Sequence, residues 1–238
     1  MKLPFDEVYL LNLCEREDKY NRMRERIDYM GWDVKDFRVV KHPISDIIVN
    51  NLGRNLMGYG YCINNGGVFN CTREEYTIIK SAYLRGLNTV GIIEDDCSFY
   101  KDSSIWEEYL NNLPKDWDIL RINCLRGSDN LGDNYWNIQP NCKYYGTGFY
   151  VLNRNGMKYM IDKIEQCYQP IDEPLYHLTN PDINIYVPKF PLSLCLEDSL
   201  DSDISTQQED YSCIYDNLST KFIHNLYKQF NINNEEYI

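Results

Sequence analysis

The feature that most narrows the fold is the passage from Thr72 to Asp96. Tyr76, Ile79, Tyr83 and Leu84 recur at helical spacing, Gly86 closes the segment, and Thr89–Glu94 follows as a mostly apolar run rich in β-branched residues. Thr72-Arg73-Glu74-Glu75 has the spacing of a capping box, which predicts that the helix starts there. Helix, glycine and buried strand in succession form the repeating unit of a parallel α/β sheet. The strand then runs out into three consecutive carboxylates, Glu94, Asp95 and Asp96.

The rest of the chain repeats this alternation. Val8–Leu13 reads as a buried strand, and Glu15–Met30 as a helix with apolar Tyr20, Met23, Ile27 and Met30 on one stripe and Gly31 as its C-cap. A second strand is expected at Asp36–Lys41, then a stretch in which Gly58, Gly60, Gly66 and Gly67 mark loops. Trp106–Leu113 reads as helix, Trp117–Asn123 and Phe149–Leu152 as strands, and Asn153 as the N-cap of a helix reaching Cys167. Asn184–Pro188 is a last short strand, and Tyr215–Phe230 a terminal helix. With no Pro, Gly or Ser-rich linker, the expectation is one α/β domain over residues 1–205 and a helical appendage over 206–238.

Composition sets the outer bounds. With 43% hydrophobic and 25% charged residues, the 238-residue chain has the makings of a globular core. A formal charge of −12 without a basic stripe argues against nucleic acid as a partner. It also means that a phosphorylated substrate would need a cation at the site. No stretch approaches the ~20 apolar residues of a membrane span and no signal-peptide core opens the chain, so a soluble, cytoplasmic protein is expected. Nine scattered cysteines without a Cys-x-x-Cys pair suggest free thiols and neither a disulfide framework nor a zinc site.

Ligands of open α/β sheets bind beyond the carboxyl ends of the strands, where Glu94-Asp95-Asp96 falls. Alternation along an extended chain would send Glu94 and Asp96 to the same side, and hard carboxylate oxygens suit Mg²⁺ or Mn²⁺. A solvated acidic turn would have the same sequence, but like charges held at a sheet edge are costly without a cation. Asn12, Arg16 and Asp18, at the end of the first strand and the start of its helix, could form a nucleotide edge; Arg16 fits a solvated helix position equally well. Gly146-Thr147-Gly148 permits close backbone approach to a ligand, as would any glycine-flanked strand start.

These segments resemble glycosyltransferase family 25, the lipooligosaccharide and collagen hydroxylysine galactosyltransferases. The resemblance runs from Cys71 through the helix to Ile92-Ile93-Glu94-Asp95-Asp96, a variant of the Asp-x-Asp metal motif. It includes Val8–Leu13 with Arg16 and Asp18, Tyr145–Leu152 with Gly156, Pro170-Ile171-Asp172, and Ser202-Asp203-Ile204. It implies a GT-A fold with a Rossmann-like, mostly parallel sheet flanked by helices, a UDP-sugar donor, Mn²⁺ (or Mg²⁺), and inversion at the anomeric carbon. The implied acceptor is a saccharide or a hydroxylysine-type hydroxyl, and the implied sugar galactose or glucose. On this reading Asp96 binds the metal directly, Glu94 supports it, Asp95 faces the donor, and Asp203 adds a metal or diphosphate contact unless it only closes an Asx turn. Inversion requires a base, for which Asp172 is the first candidate and Glu173 the second, although a helix N-cap would also explain Asp172. Where the family carries Ser-His after the cysteine, this chain has Glu74-Glu75. The alternative reading is therefore a catalytically silent nucleotide-binding or assembly module.

Overall fold

Two faces of one sheet are written into the alternation of its strands. In β1 (Glu7–Leu13) Val8, Leu10 and Asn12 are buried on one side, while Tyr9 and Leu11 pack on the other. The computed structural model describes residues 1–40, 66–123, 136–138, 148–166, 183–194 and 228–238. Its strands are β1, β2 (Lys35–Val39), β3 (Thr89–Glu94), β4 (Ser98–Phe99), β5 (Ile119–Arg121), β6 (Trp136–Ile138), β7 (Phe149–Asn153), β8 (Ile185–Pro188) and β9 (Ser193–Leu194). Helices α1 (Glu17–Met30), α2 (Gly66–Leu84), α3 (Ser103–Asn111) and α4 (Arg154–Gln166) cover the faces.

The main sheet has the order β2-β1-β3-β7-β5-β8-β6. Strand β1 is parallel to β2 and β3, β5 is parallel to β8, and β7 is antiparallel to both β3 and β5. Strand β6 is antiparallel to β8, so among the described residues five of the seven strands run one way and β6 and β7 are reversed. This is the mostly parallel α/β sheet flanked by helices that the alternation predicts. On one face α1 contributes Met23, Ile27 and Met30 and α3 contributes Trp106, Tyr109 and Leu110, against Val8, Leu10, Ile93, Leu120, Phe149 and Val151. Trp32 sits 4.8 Å from both Phe99 and Trp106, centroid to centroid, at the centre of that layer. On the other face Ile78, Ile79 and Ala82 of α2 and Met157, Met160 and Ile164 of α4 cover Val90, Ile92, Ile119, Tyr150 and Leu152.

Element ends follow local chemistry. Gly31, at φ 66°, closes α1 in the left-handed conformation, and its N–H returns to the Asp28 carbonyl. The Asn153 side chain accepts from the Gly156 N–H at 2.9 Å, the N-cap expected for α4. Gly156 is required there by contact, since a Cβ would lie 2.2 Å from the Asp118 carbonyl oxygen. The expected strand Trp117–Asn123 contracts to β5, with Asn123 bridging to Ser193 outside it.

The expected start of the second helix is overturned. Thr72-Arg73-Glu74-Glu75 does not cap α2; it lies inside the helix, whose first turn holds Gly66 and Gly67, both expected in a loop. Thr72 and Glu75 face inward and are fully buried, so these residues serve packing and an internal hydrogen bond and no helix end. Strands β4, β6 and β9 are too short to leave a periodic trace in the sequence.

The expected C-terminal helix lies mostly outside the described residues, although 228–230 are helical. Beyond it, Tyr237 bridges Tyr100, and Phe99 and Ile238 exchange two backbone hydrogen bonds of 2.8 and 2.9 Å. Among the described residues no helix is long and apolar enough to cross a membrane.

Candidate functional site

The carboxyl ends of β1, β3 and β5 meet the first residues of the reversed strand β7. Leu11 lies opposite Glu94 across the β1–β3 ladder, and the Glu94 N–H donates to the Gly148 carbonyl at 2.7 Å. Gly148 has φ 41°, and a Cβ on it would fall 1.9 Å from Asn123 Nδ2. Two demands thus fix a glycine here, the left-handed backbone and the Asn123 side chain pressed against it. Both belong to the chain itself and account for this glycine with or without a ligand beside it.

The three carboxylates part company at the end of β3. Glu94 continues the alternation of Val90 and Ile92 and emerges on the α2 side, where Glu75 and Cys71 offer ligand atoms that lie, with its own, within 4.8 Å of one another. The Tyr150 hydroxyl donates to the Glu75 carboxylate, and the Cys71 thiol lies 3.3 Å from the same group. Burial pushes the Glu94 carboxyl well above its usual range, and the neighbouring charges of Glu75 and Asp96 push it further. Burial, and then Glu75, likewise raise the Tyr150 hydroxyl well above a normal phenol.

Asp95 turns the other way. Asn12 Nδ2 donates to its Oδ2 at 2.7 Å, and Lys19 Nζ stands 3.8 Å from Oδ1. Asn12 also donates to the Arg16 carbonyl at 3.2 Å, while its own Oδ1 is buried without a hydrogen-bond partner. The chain turns through Asp95 and Asp96, with the Cys97 N–H 3.4 Å from the Glu94 carbonyl. The extended geometry that would send Glu94 and Asp96 to one side therefore stops at Glu94. Asp96 is half-buried and close enough for its charge to act on Glu94.

The carboxylate oxygens of Glu94 and Asp96 are of the type that suits a hard divalent cation, while the ligand atoms brought within 4.8 Å of one another are those of Cys71, Glu75 and Glu94. Glu94 and Asp96 supply carboxylate oxygens at a sheet edge crowded with negative charge, the situation a cation relieves. The Cys71 thiol beside Glu75 is a soft donor and a poor ligand for Mg²⁺ or Mn²⁺.

Arg16 and Asp18 are engaged with each other. Arg16 Nε and Nη2 donate to the two Asp18 oxygens at 3.1 and 3.0 Å, and Arg16 holds the exposed Asp18 carboxyl down at about 2. Gly146, Thr147, Asp172, Glu173 and Asp203 lie outside the described residues. The structure adds Lys19, Glu75, Asn123 and Tyr150 around the site, none of which the sequence assigned a site role. Two of them carry a signal in hindsight: Lys19 falls on the buried stripe of Met23, Ile27 and Met30, and Glu75 on that of Ile78, Ile79 and Ala82. A charged residue on an apolar stripe has a partner to find.

No protein-family model matches the chain. Procollagen galactosyltransferase 1 of Danio rerio is 25% identical over 210 residues, covering 80% of this chain and 34% of that protein. The chain thus spans about a third of the length of that relative. Among solved structures, a glycosyltransferase involved in the glycosylation of the major capsid of PBCV-1 aligns at TM-score 0.43 and 10% identity, over 80% of this chain and 92% of that one. Mouse xyloside xylosyltransferase 1 in its apo form aligns at TM-score 0.36 and 8% identity, over 79% and 85%.

Proposed function

We propose that the chain is a glycosyltransferase of GT-A type that moves a hexose, galactose or glucose, from a UDP-sugar to a saccharide or hydroxylysine-type hydroxyl. The observation that carries this reading is the acidic turn closing β3, at the edge where α/β sheets receive ligands, in a chain similar along 80% of its length to a galactosyltransferase. In this reading Asp96 and Glu94 hold Mn²⁺ (or Mg²⁺), with Asp203 as a further contact. Bound there, the cation supplies Lewis-acid stabilisation of the charge that a departing diphosphate develops.

Asn12, Arg16 and Asp18 border the nucleotide, and the backbone of Gly146-Thr147-Gly148 approaches the donor. Asp172, with Glu173 as second candidate, takes the proton of the acceptor hydroxyl on the face opposite the leaving group, giving inversion in one displacement. Nine scattered cysteines without a Cys-x-x-Cys pair support a reducing compartment, the cytoplasm.

The test is UDP release from a panel of UDP-sugars. The expected result is release that requires Mn²⁺, stops with a chelator and is lost in Asp96→Ala. Undiminished release in chelator overturns the metal assignment. UDP binding by calorimetry without turnover of any donor would instead assign a silent binding module.

A further inference from the structure

We infer that Lys19 is a positioning residue that holds the acidic turn of β3 in place by gripping Asp95 from behind. Lys19 is 2% exposed, in the first turn of α1, and its ammonium reaches to 3.8 Å from Asp95 Oδ1. Withdrawing an ammonium from water costs several kcal/mol unless a counter-charge offsets it, and Asp95 supplies one.

The second Asp95 oxygen accepts from Asn12 Nδ2 at 2.7 Å, so the two oxygens are engaged from α1 and from β1. Both elements are rigidly seated: Met23, Ile27 and Met30 pack the Lys19 stripe into the core, and β1 is paired on both edges by β2 and β3. Asp95 is the middle residue of the cluster. Tied backwards in this way it acts as a strut, and the directions of Glu94 before it and Asp96 after it are fixed by it. Lys19 also places one positive charge behind a region containing Glu75, Glu94, Asp95 and Asp96.

This inference rests on the reading of the turn as a cation anchor, and charge and position predict opposite outcomes. If Lys19 acted only as a nearby positive charge, removing it would tighten cation binding. As a positioning residue, its loss loosens the turn and weakens binding, in the range of other outer-shell partners of metal ligands.

The experiment is a calorimetric titration of Mn²⁺ into the full chain, comparing wild type with Lys19→Met, Asp95→Asn and the double variant, each checked for native circular dichroism. Methionine keeps the length and the apolar stem of the lysine, and Asp95, left without its ammonium, retains the Asn12 hydrogen bond. The expected result is an approximately tenfold higher Kd for Lys19→Met, with the double variant no weaker than the worse single one, because both act through one contact. If Lys19→Met does not fold, Lys19→Arg takes its place: the charge stays and the donor geometry changes, so a raised Kd is the expected result and a Kd equal to wild type overturns the inference. A Kd equal to or lower than wild type in the folded variant overturns the inference while leaving the cation anchor intact. Absence of Mn²⁺ binding by wild type overturns the anchor itself and the inference with it.

Discussion

The Tyr150 hydroxyl donates to the Glu75 carboxylate across the contact between β7 and α2, and both side chains are fully buried. A carboxylate mid-helix in a core survives only with such partners, and this one lies beside Glu94, the last residue of the strand that carries the proposed anchor. Tyr150→Phe keeps the ring and removes the donor. It is expected to cost about 2 kcal/mol, the price of an unmet buried acceptor. Glu75→Gln retains an acceptor for the tyrosine and is expected to cost less than half of that. Urea unfolding with an unchanged slope measures both, and a Tyr150→Phe midpoint equal to wild type counts against the hydrogen bond.

Gly148 predicts a second asymmetry. Gly148→Ala places a methyl 1.9 Å from Asn123 Nδ2 at φ 41°, so it is expected to lower stability by about 3 kcal/mol or more through clash and backbone strain. Adding Asn123→Ala removes the closest atoms and recovers part of the loss, leaving the backbone cost of about 1 kcal/mol. Thermal denaturation of the single and double variants separates the two contributions. No recovery in the double variant would mean that the side-chain clash is not the cause.

Much of the architecture was legible because burial leaves a period. The stripe of Met23, Ile27 and Met30 locates α1, and the β-branched run before Glu94 locates β3, to within a residue or two. What was not legible depends on partners distant in sequence. Thr72 and Glu75 have capping-box spacing, and only Tyr150, 75 residues away, reveals that Glu75 is an interior group. The end of the extended geometry at Glu94 is likewise invisible in a run of three acids, as is the tie from Asp95 to Asn12, 83 positions earlier. The proposed base Asp172 and the contact Asp203 have no geometry among the described residues, so their assignment stays with the family resemblance.

At the opposite end of β1, Glu7 accepts from Arg85 and Lys35, and the Arg85 pair above all holds its carboxyl down at about 2, against a usual value of 4.5. A depressed carboxyl stabilises the fold fully above the unfolded value and loses that contribution as pH falls through the folded one. The stability difference between wild type and Glu7→Gln is therefore expected to be constant above about pH 5.5 and to shrink between 4.5 and about 2. Because Arg85 and Lys35 are about half exposed, its plateau is expected to be about 1 kcal/mol. Chemical denaturation at pH 6 and pH 3 checks the sign; a gap that widens toward acid contradicts it.

The segment ending at Ile238 closes on β4, which starts two residues after Asp96. Phe99 exchanges backbone hydrogen bonds with Ile238, Lys101 N–H donates to the Glu236 carbonyl at 2.8 Å, and the Tyr237 hydroxyl donates to the Pro191 carbonyl at 2.6 Å. Its ring also meets Tyr100 edge-on at 5.5 Å. The short β4, paired with β9 on one side, is thus held on the other by the residues around Tyr237. Tyr237→Phe keeps the ring contact and is expected to cost about 1 kcal/mol. Tyr237→Ala empties a buried aromatic site and is expected to cost about 3 kcal/mol. Its effect is expected to be local as well as global: amide exchange at Phe99 and Lys101 rises more than at Ile92 or Ile93 in the centre of β3, because two of the bonds protecting β4 come from that segment. Equal acceleration at all four amides would show that the clasp has no separate hold on β4. Faster exchange confined to β4, with weaker Mn²⁺ binding in the same variant, would mean that the clasp also steadies the turn bearing Asp96.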